Sequence, residues 1–146
     1  MTDKNDLPIH EVHRLKAIEH FIMAERAMAS EGEGQEPLYE QAIMNCHFCV
    51  EMIMKAAIYK EGGTPPTSGA DGHNLLKIAN TRIQGKKYLH SAIVSNRFIV
   101  PFWHKIVGAW STDKRYEFMT LSELDYDDLF EAYRRFYQWI KTQFVE

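Results

Sequence analysis

Arg97 and His104 stand seven positions apart, with Phe98 to Trp103 between them. On an unbroken helix, positions i and i+7 share a face. An imidazole, whose ordinary pKa lies near neutrality, can take or give a proton. A guanidinium can hold a phosphate and stabilise the charge that builds on it. Side by side, the two residues would form a metal-free site for phosphodiester chemistry. The other reading of the pair is a solvated arginine and an amphipathic interface histidine. Pro101 falls inside the spacing and is expected to break or kink the helix that carries them.

Three further groupings invite a chemical reading. His47, Glu51 and Lys55 recur at i, i+4 and i+8, which makes one polar stripe on a helix. That stripe is either an edge that faces a ligand or partner, or an intrahelical ladder that fixes packing. Arg115 and Tyr116 follow Lys114 and Trp110 in a polar connection. An arginine beside aromatics grips a phosphate while a ring stacks on a base; alternatively Tyr116 packs on the body and Arg115 pairs with an acid such as Asp113. Cys46 and Cys49 spell C-x-x-C, but there is no second pair for zinc and no βαβ context for redox work. On an apolar helix face they behave as small hydrophobes. Seven histidines raise the question of metal, yet no glutamate has a histidine three residues later, as a di-iron bundle requires. No metal and no cofactor are expected.

Helices must position these residues, and composition sets what those helices can build. With 146 residues the chain is expected to form a single domain, 1–146, long enough for a core without disulfides. Its 45% hydrophobic and 25% charged content is that of a globular protein, and 8 Phe, 7 Tyr and 3 Trp exclude a disordered composition. The net charge of −3 excludes a global basic surface for nucleic acid and leaves room only for a local one. The polar start has no signal-peptide pattern, no apolar run suits a membrane span, and two cysteines make no disulfide framework. The expected compartment is the cytoplasm, with no membrane partner.

The apolar period is helical throughout. A first helix is expected from about Pro8 to Ser30, with Ile9, Val12, Leu15, Ile18, Ile22 and Met28 on one broad face. A second runs from about Pro37 to Lys60, closed by Gly62, with Leu38, Ala42, Cys46, Cys49, Ile53 and Ala56 as its stripe. A third begins near His73, capped by Asp71, and ends near Gly85. The fourth spans about Lys86 to Ala109. The last starts near Thr120 on the capping-box pattern Thr120-Leu121-Ser122-Glu123, and Leu129, Ala132, Tyr133, Phe136, Ile140 and Phe144 form its stripe. No strand pair is expected. The fold class is all-α, an up-and-down bundle of four or five helices.

The stretch from Tyr39 to Ala79 resembles the HEPN family. The second helix of that family carries a pattern of His or Gln, then Glu four residues on, then Leu/Met-Lys-Ala; here the matching residues are His47, Glu51, Met54, Lys55 and Ala56. A Gly/Pro loop and a restart at His73, Asn74, Leu75 and Ile78 follow. Asp113-Lys114-Arg115-Tyr116 is similar to the Arg-Tyr signature before the family's last helix. The resemblance implies a helical bundle that dimerises, here a homodimer with aromatic and Met-rich contacts from the fourth and fifth segments. It implies a nucleotide- or RNA-associated module, and in one branch a toxin paired with a minimal nucleotidyltransferase. The catalytic branch is a metal-independent ribonuclease with four to six residues between an Arg and a His. Arg97 and His104 meet the long limit of that spacing. They depart from it at Phe98, where a small polar residue is usual, and at Ile106, where a tyrosine often stands. Nucleotide or partner contacts are expected at His47, Glu51, Lys55, His73, Arg115 and Tyr116. The alternative function is a non-catalytic helical dimerisation or interaction module.

Overall fold

The computed structural model describes residues 6–29, 37–67, 74–83, 87–109 and 123–146, and only the backbone of Glu123 and Leu124. Among these residues six α-helices are present: α1 (Ile9–Met28), α2 (Tyr39–Lys60), α3 (Leu75–Ala79), α4 (Leu89–Val94), α5 (Val100–Ala109) and α6 (Glu123–Ile140). A π-helical turn, Lys141–Val145, ends the chain. The class is the expected all-α bundle. No helix among the described residues is long and apolar enough to cross a membrane.

The bundle is organised around α2. Its alanine, isoleucine, methionine, cysteine and valine residues occupy most of its circumference, and Ile43, Val50, Ile53, Met54 and Ile58 are all fully buried. A helix apolar nearly all round belongs in the interior, and α2 is covered by α1 on one side and by α6 and the terminal turn on others. Gly62 closes α2 with φ 84°, a left-handed conformation that glycine adopts without steric cost. The N–H of Gly63 then donates to the Ile58 carbonyl at 2.8 Å. A Cβ at Gly63 would collide with the Arg82 carbonyl, so the absence of a side chain lets the turn after α2 lie directly against a strand. At this same end of α2, Lys60 Nζ donates to the Val145 carbonyl at 2.8 Å and fastens the terminal turn to α2.

Several expectations need correction. α1 buries its bulky stripe only in part. Its fully buried residues are Ala17, Ala24 and Ala27, whose small side chains let the backbones of α1 and α2 approach closely. Ile9 and Ile22 are exposed, and Val12, Leu15, Ile18 and Met28 are only half-buried. Periodicity located the bulky residues but could not show that the closest contact would be made by alanines. The third helix starts at Leu75, not near His73, and its cap is Asn74, whose Oδ1 accepts from the N–H groups of Leu76 and Lys77. It ends at Ala79. The proposed cap Asp71, the expected stop Gly85 and the capping box at 120–123 lie, in whole or in part, outside the described residues. A strand pair does exist: Arg82–Ile83 (β1) pairs antiparallel with Lys87–Tyr88 (β2), Arg82 opposite Tyr88. Two residues per strand are too few to register as an alternating pattern.

The expected fourth helix is two helices. α4 stops at Val94, and α5 begins at Val100. Pro101 is the second residue of α5, not a kink within a longer helix. There its missing N–H is one that the first turn leaves without an intrahelical partner anyway. Of the aromatics in the fourth and fifth segments, Trp103, Tyr133, Phe136 and Tyr137 are buried in the core, while Phe98 is exposed. The Trp103 ring stacks on Phe136 at 5.2 Å.

Candidate functional site

The head of α5 is built by Asn96. Its side-chain oxygen accepts from the N–H groups of Phe98 at 3.0 Å and Ile99 at 3.2 Å, while its carbonyl accepts from Ile99 and Val100. An asparagine in this role satisfies the orphan donors of a helix start. Residues 97–99 therefore form a turn that runs straight into α5, and Arg97 occupies that turn instead of a mid-helix position. Arg97 and His104 are both exposed. Seven residues of helical path separate their backbones by about 10 Å, so within one chain their reach toward a common phosphate depends on long side chains.

What fixes this edge is the residue beside each polar group. Trp103 is 2% exposed and packs on Phe136 of α6, with His90 at its edge, 6.3 Å between centroids. With Trp103 turned inward, the adjacent His104 faces solvent. Lys105 then pairs with Asp128 at 2.7 Å and ties α5 to α6 on the surface. At the other end, Phe98 is 72% exposed, and the Arg97 guanidinium lies over its ring, 4.9 Å from the centroid. No carboxylate pairs with Arg97 among the described residues. The edge thus presents a cation and an open aromatic ring on a rigidly capped turn, and an imidazole further along the helix that the turn begins. Sequence reading missed Asn96, although Asn directly before a helical run is a capping signal.

The second polar grouping lies elsewhere and is of another kind. His47, Glu51 and Lys55 are 0%, 1% and 4% exposed. Lys55 Nζ and Glu51 Oε2 are 3.3 Å apart, and the His47 ring meets Tyr133 edge-on at 6.5 Å. Of the two readings, the geometry is that of the packing ladder; a ligand-facing edge would be open to solvent. His13 of α1 approaches the same region. Its Nδ1–H donates to the Ile9 carbonyl at 2.9 Å and its ring packs on Tyr59. Burial pushes its pKa down, outweighing the hydrogen bond to Ile9, and the nearby Lys16 and Lys55 add to the depression. His73, Arg115 and Tyr116 lie outside the described residues.

Cys46 and Cys49 are free and buried, and burial raises both thiols well above their ordinary range. Such thiols are inert. Among the described residues no three His, Cys, Asp or Glu side chains cluster as metal ligands would.

The family model of the HEPN domain matches residues 10–143, nearly the whole chain, and the protein belongs to the HEPN domain family. In general terms it is therefore a nucleotide- or RNA-associated module. Neither curated proteins nor solved structures give a match to the chain.

Proposed function

We propose that this HEPN domain engages RNA along the Asn96–His104 edge and, as a homodimer, cleaves it without metal, acting in the cytoplasm as the toxin partner of a minimal nucleotidyltransferase. The observation that carries the reading is the exposed Arg97, unpaired with any described carboxylate, on the same capped turn and helix as His104. The chemistry asks for little else. One imidazole removes the proton of a ribose 2′-OH, the oxygen attacks the adjacent phosphorus, and the bond to the 5′ oxygen breaks with a proton delivered to that oxygen. The products are a 2′,3′-cyclic phosphate and a 5′-hydroxyl. Arg97 stabilises the charge that develops on the phosphoryl oxygens. The roughly 10 Å of helix between the two residues favours a site in which two copies face each other, so that Arg97 and His104 of both contribute. Such pairing would also concentrate positive charge on a protein of net charge −3. Buried, unoxidised thiols at Cys46 and Cys49 suit a reducing compartment.

The test is cleavage of single-stranded RNA in excess EDTA by wild type, Arg97→Ala and His104→Ala. We expect each substitution to lower the rate by about 10²- to 10⁴-fold, with cyclic-phosphate ends on the wild-type products. Equal rates in all three proteins reject the site.

A second reading, the non-catalytic interaction module, is favoured by the outer face of α1. Ile9 is 51% exposed and, with Leu7, Val12, Leu15 and Ile18, lines a groove of about 720 Å³ along the first half of the helix. An apolar groove of this kind on a folded domain marks a protein contact. Silent RNA assays, together with loss of self-association in Ile9→Glu by light scattering, would select it.

A further inference from the structure

A second cleft opens beside the Arg97 edge. It has a volume of about 530 Å³ and lies between the end of α2, the β1–β2 pair, α4 and the terminal π turn. Volumes of about 300–1,000 Å³ are typical of small-molecule sites. Glu61, Lys87, Tyr88, Ser91, Ser95 and Phe144 line it. We propose that this cleft binds one nucleotide of a single-stranded RNA, holding the base and ribose next to the phosphate that Arg97 and His104 engage. The proposal rests on the RNA reading above for the identity of its ligand and names where the substrate lies.

The lining has the parts of a nucleotide distributed along it. Tyr88 and Phe144 are half-buried rings, a wall on which any base can stack. The Tyr88 ring is held in place: its hydroxyl accepts from Arg82 Nε at 3.0 Å, and that guanidinium also lies 5.7 Å from the ring centroid. Lys87 is exposed at the rim, where a phosphate would sit. Glu61, half-buried, places a carboxylate in the lining. Ser91 and Ser95 are exposed and lie one helical turn apart on the same side of α4 and its C-terminal residue. Ser95 Oγ donates to the Ala92 carbonyl at 3.2 Å, which leaves its lone pairs to accept. A cation, an acceptor set and aromatic surface in one cleft match a ligand with a negative group, hydroxyls and a flat ring. A bare anion would use Lys87 and the hydroxyls but neither ring, and an aliphatic ligand would use none of the polar groups.

Chain continuity links the cleft to the edge. Ser95 lines the cleft, Asn96 caps the next helix, and Arg97 follows at once. A strand that places one nucleotide in the cleft would bring its neighbouring phosphate to Arg97. The Gly63 turn packed on the Arg82 carbonyl and the Lys60–Val145 bond hold the far wall in place.

The experiment is isothermal titration of the full chain with adenosine 5′-monophosphate, adenosine and inorganic phosphate, for wild type, Lys87→Ala and Ser91→Trp. Thermal melting confirms that each variant is folded. We expect saturable binding of the monophosphate, with adenosine alone and phosphate alone each weaker by about tenfold or more. Lys87→Ala should weaken the monophosphate by about tenfold, the loss of one charge-assisted contact. Ser91→Trp should abolish its binding by filling the cleft. Absence of monophosphate binding to folded wild type, binding unchanged in Ser91→Trp, or phosphate binding as tightly as the nucleotide would each overturn the proposal. The RNA reading fails separately: wild type that cleaves RNA in EDTA, yet shows any of these three results, loses the cleft and keeps the edge. Nucleotide bound in the cleft of a protein inert toward RNA keeps the cleft and loses the cleavage.

Discussion

The two polar groupings of this domain are made of similar residues and have opposite surroundings. On α2, a histidine, a glutamate and a lysine are sealed inside the bundle, none more than 4% exposed. At the head of α5, an arginine and a histidine stand in solvent around a phenylalanine that is itself 72% exposed. The difference shows that residue type states what chemistry is available, while burial decides whether it is spent on the fold or offered to a ligand. A sealed ion pair has exchanged water for its counter-charge and other interior contacts; removing either member leaves the other charge uncompensated in a low-dielectric interior. An exposed arginine loses nothing to the fold and keeps its donors for something outside.

That contrast can be broken most forcefully at the buried pair. Glu51→Ala or Lys55→Ala should each destabilise the domain by about 3–5 kcal/mol, because the remaining charge is left buried without its partner. The double replacement Glu51→Met with Lys55→Met removes both charges and keeps most of the volume. It should recover the greater part of that loss, in line with buried pairs that apolar side chains replace at little cost. Urea denaturation of the three variants reads both outcomes. If the single variants were as stable as wild type, the pair would be reaching water, and the sealed ladder would be the wrong description.

How much of this was legible beforehand follows the same division. α2 was read nearly to its ends, because Pro37, Gly62 and a stripe of Cys46, Cys49, Ile53 and Ala56 all point the same way. The pairing of His47, Glu51 and Lys55 was legible as a spacing, but their burial was not: a polar stripe on a helix surrounded on most sides looks in one dimension like a solvated face. α1 failed for the converse reason. Its bulky residues suggested the inner face, while the close approach to α2 selected the alanines Ala17, Ala24 and Ala27. A break or kink was expected at Pro101, but the helix breaks a few residues earlier, and Asn96 is the residue that starts the new helix. The cleft below Ser95 joins segments from four parts of the chain, and no local pattern encodes such a meeting.

A smaller effect should appear with pH, and it sharpens the comparison because it concerns a histidine at the border of the sealed region. Burial depresses the pKa of His13 below its ordinary value of 6.5, with Lys16 and Lys55 contributing. In the unfolded chain the same ring takes up its proton first as pH falls. The folded state is therefore favoured above about pH 6.5, and that contribution is lost progressively as pH drops from there through the depressed folded value. His13→Gln should flatten the fall in melting temperature across this window. An unchanged slope in that variant would assign the pH dependence to other groups.

The smallest effect on stability is expected where the largest effect on function lies. Arg97 forms no described ion pair, its contact with Phe98 is exposed, and His104 is turned outward by the buried Trp103 beside it. Substitution of exposed residues with no cap, core or network role usually changes stability by less than about 0.5 kcal/mol. Arg97→Ala and His104→Ala should therefore melt together with wild type. Asn96→Ala should not: it removes the acceptor for the N–H groups of Phe98 and Ile99 and should cost about 1 kcal/mol. The three variants separate what the turn does for the fold from what its side chains do for a ligand. If Arg97→Ala destabilised the domain as much as Asn96→Ala does, the arginine would be part of the scaffold like the α2 pair. If only the cap variant moves, Arg97 and His104 are free of structural duty, and any loss of RNA cleavage in their alanine variants reports chemistry at the edge.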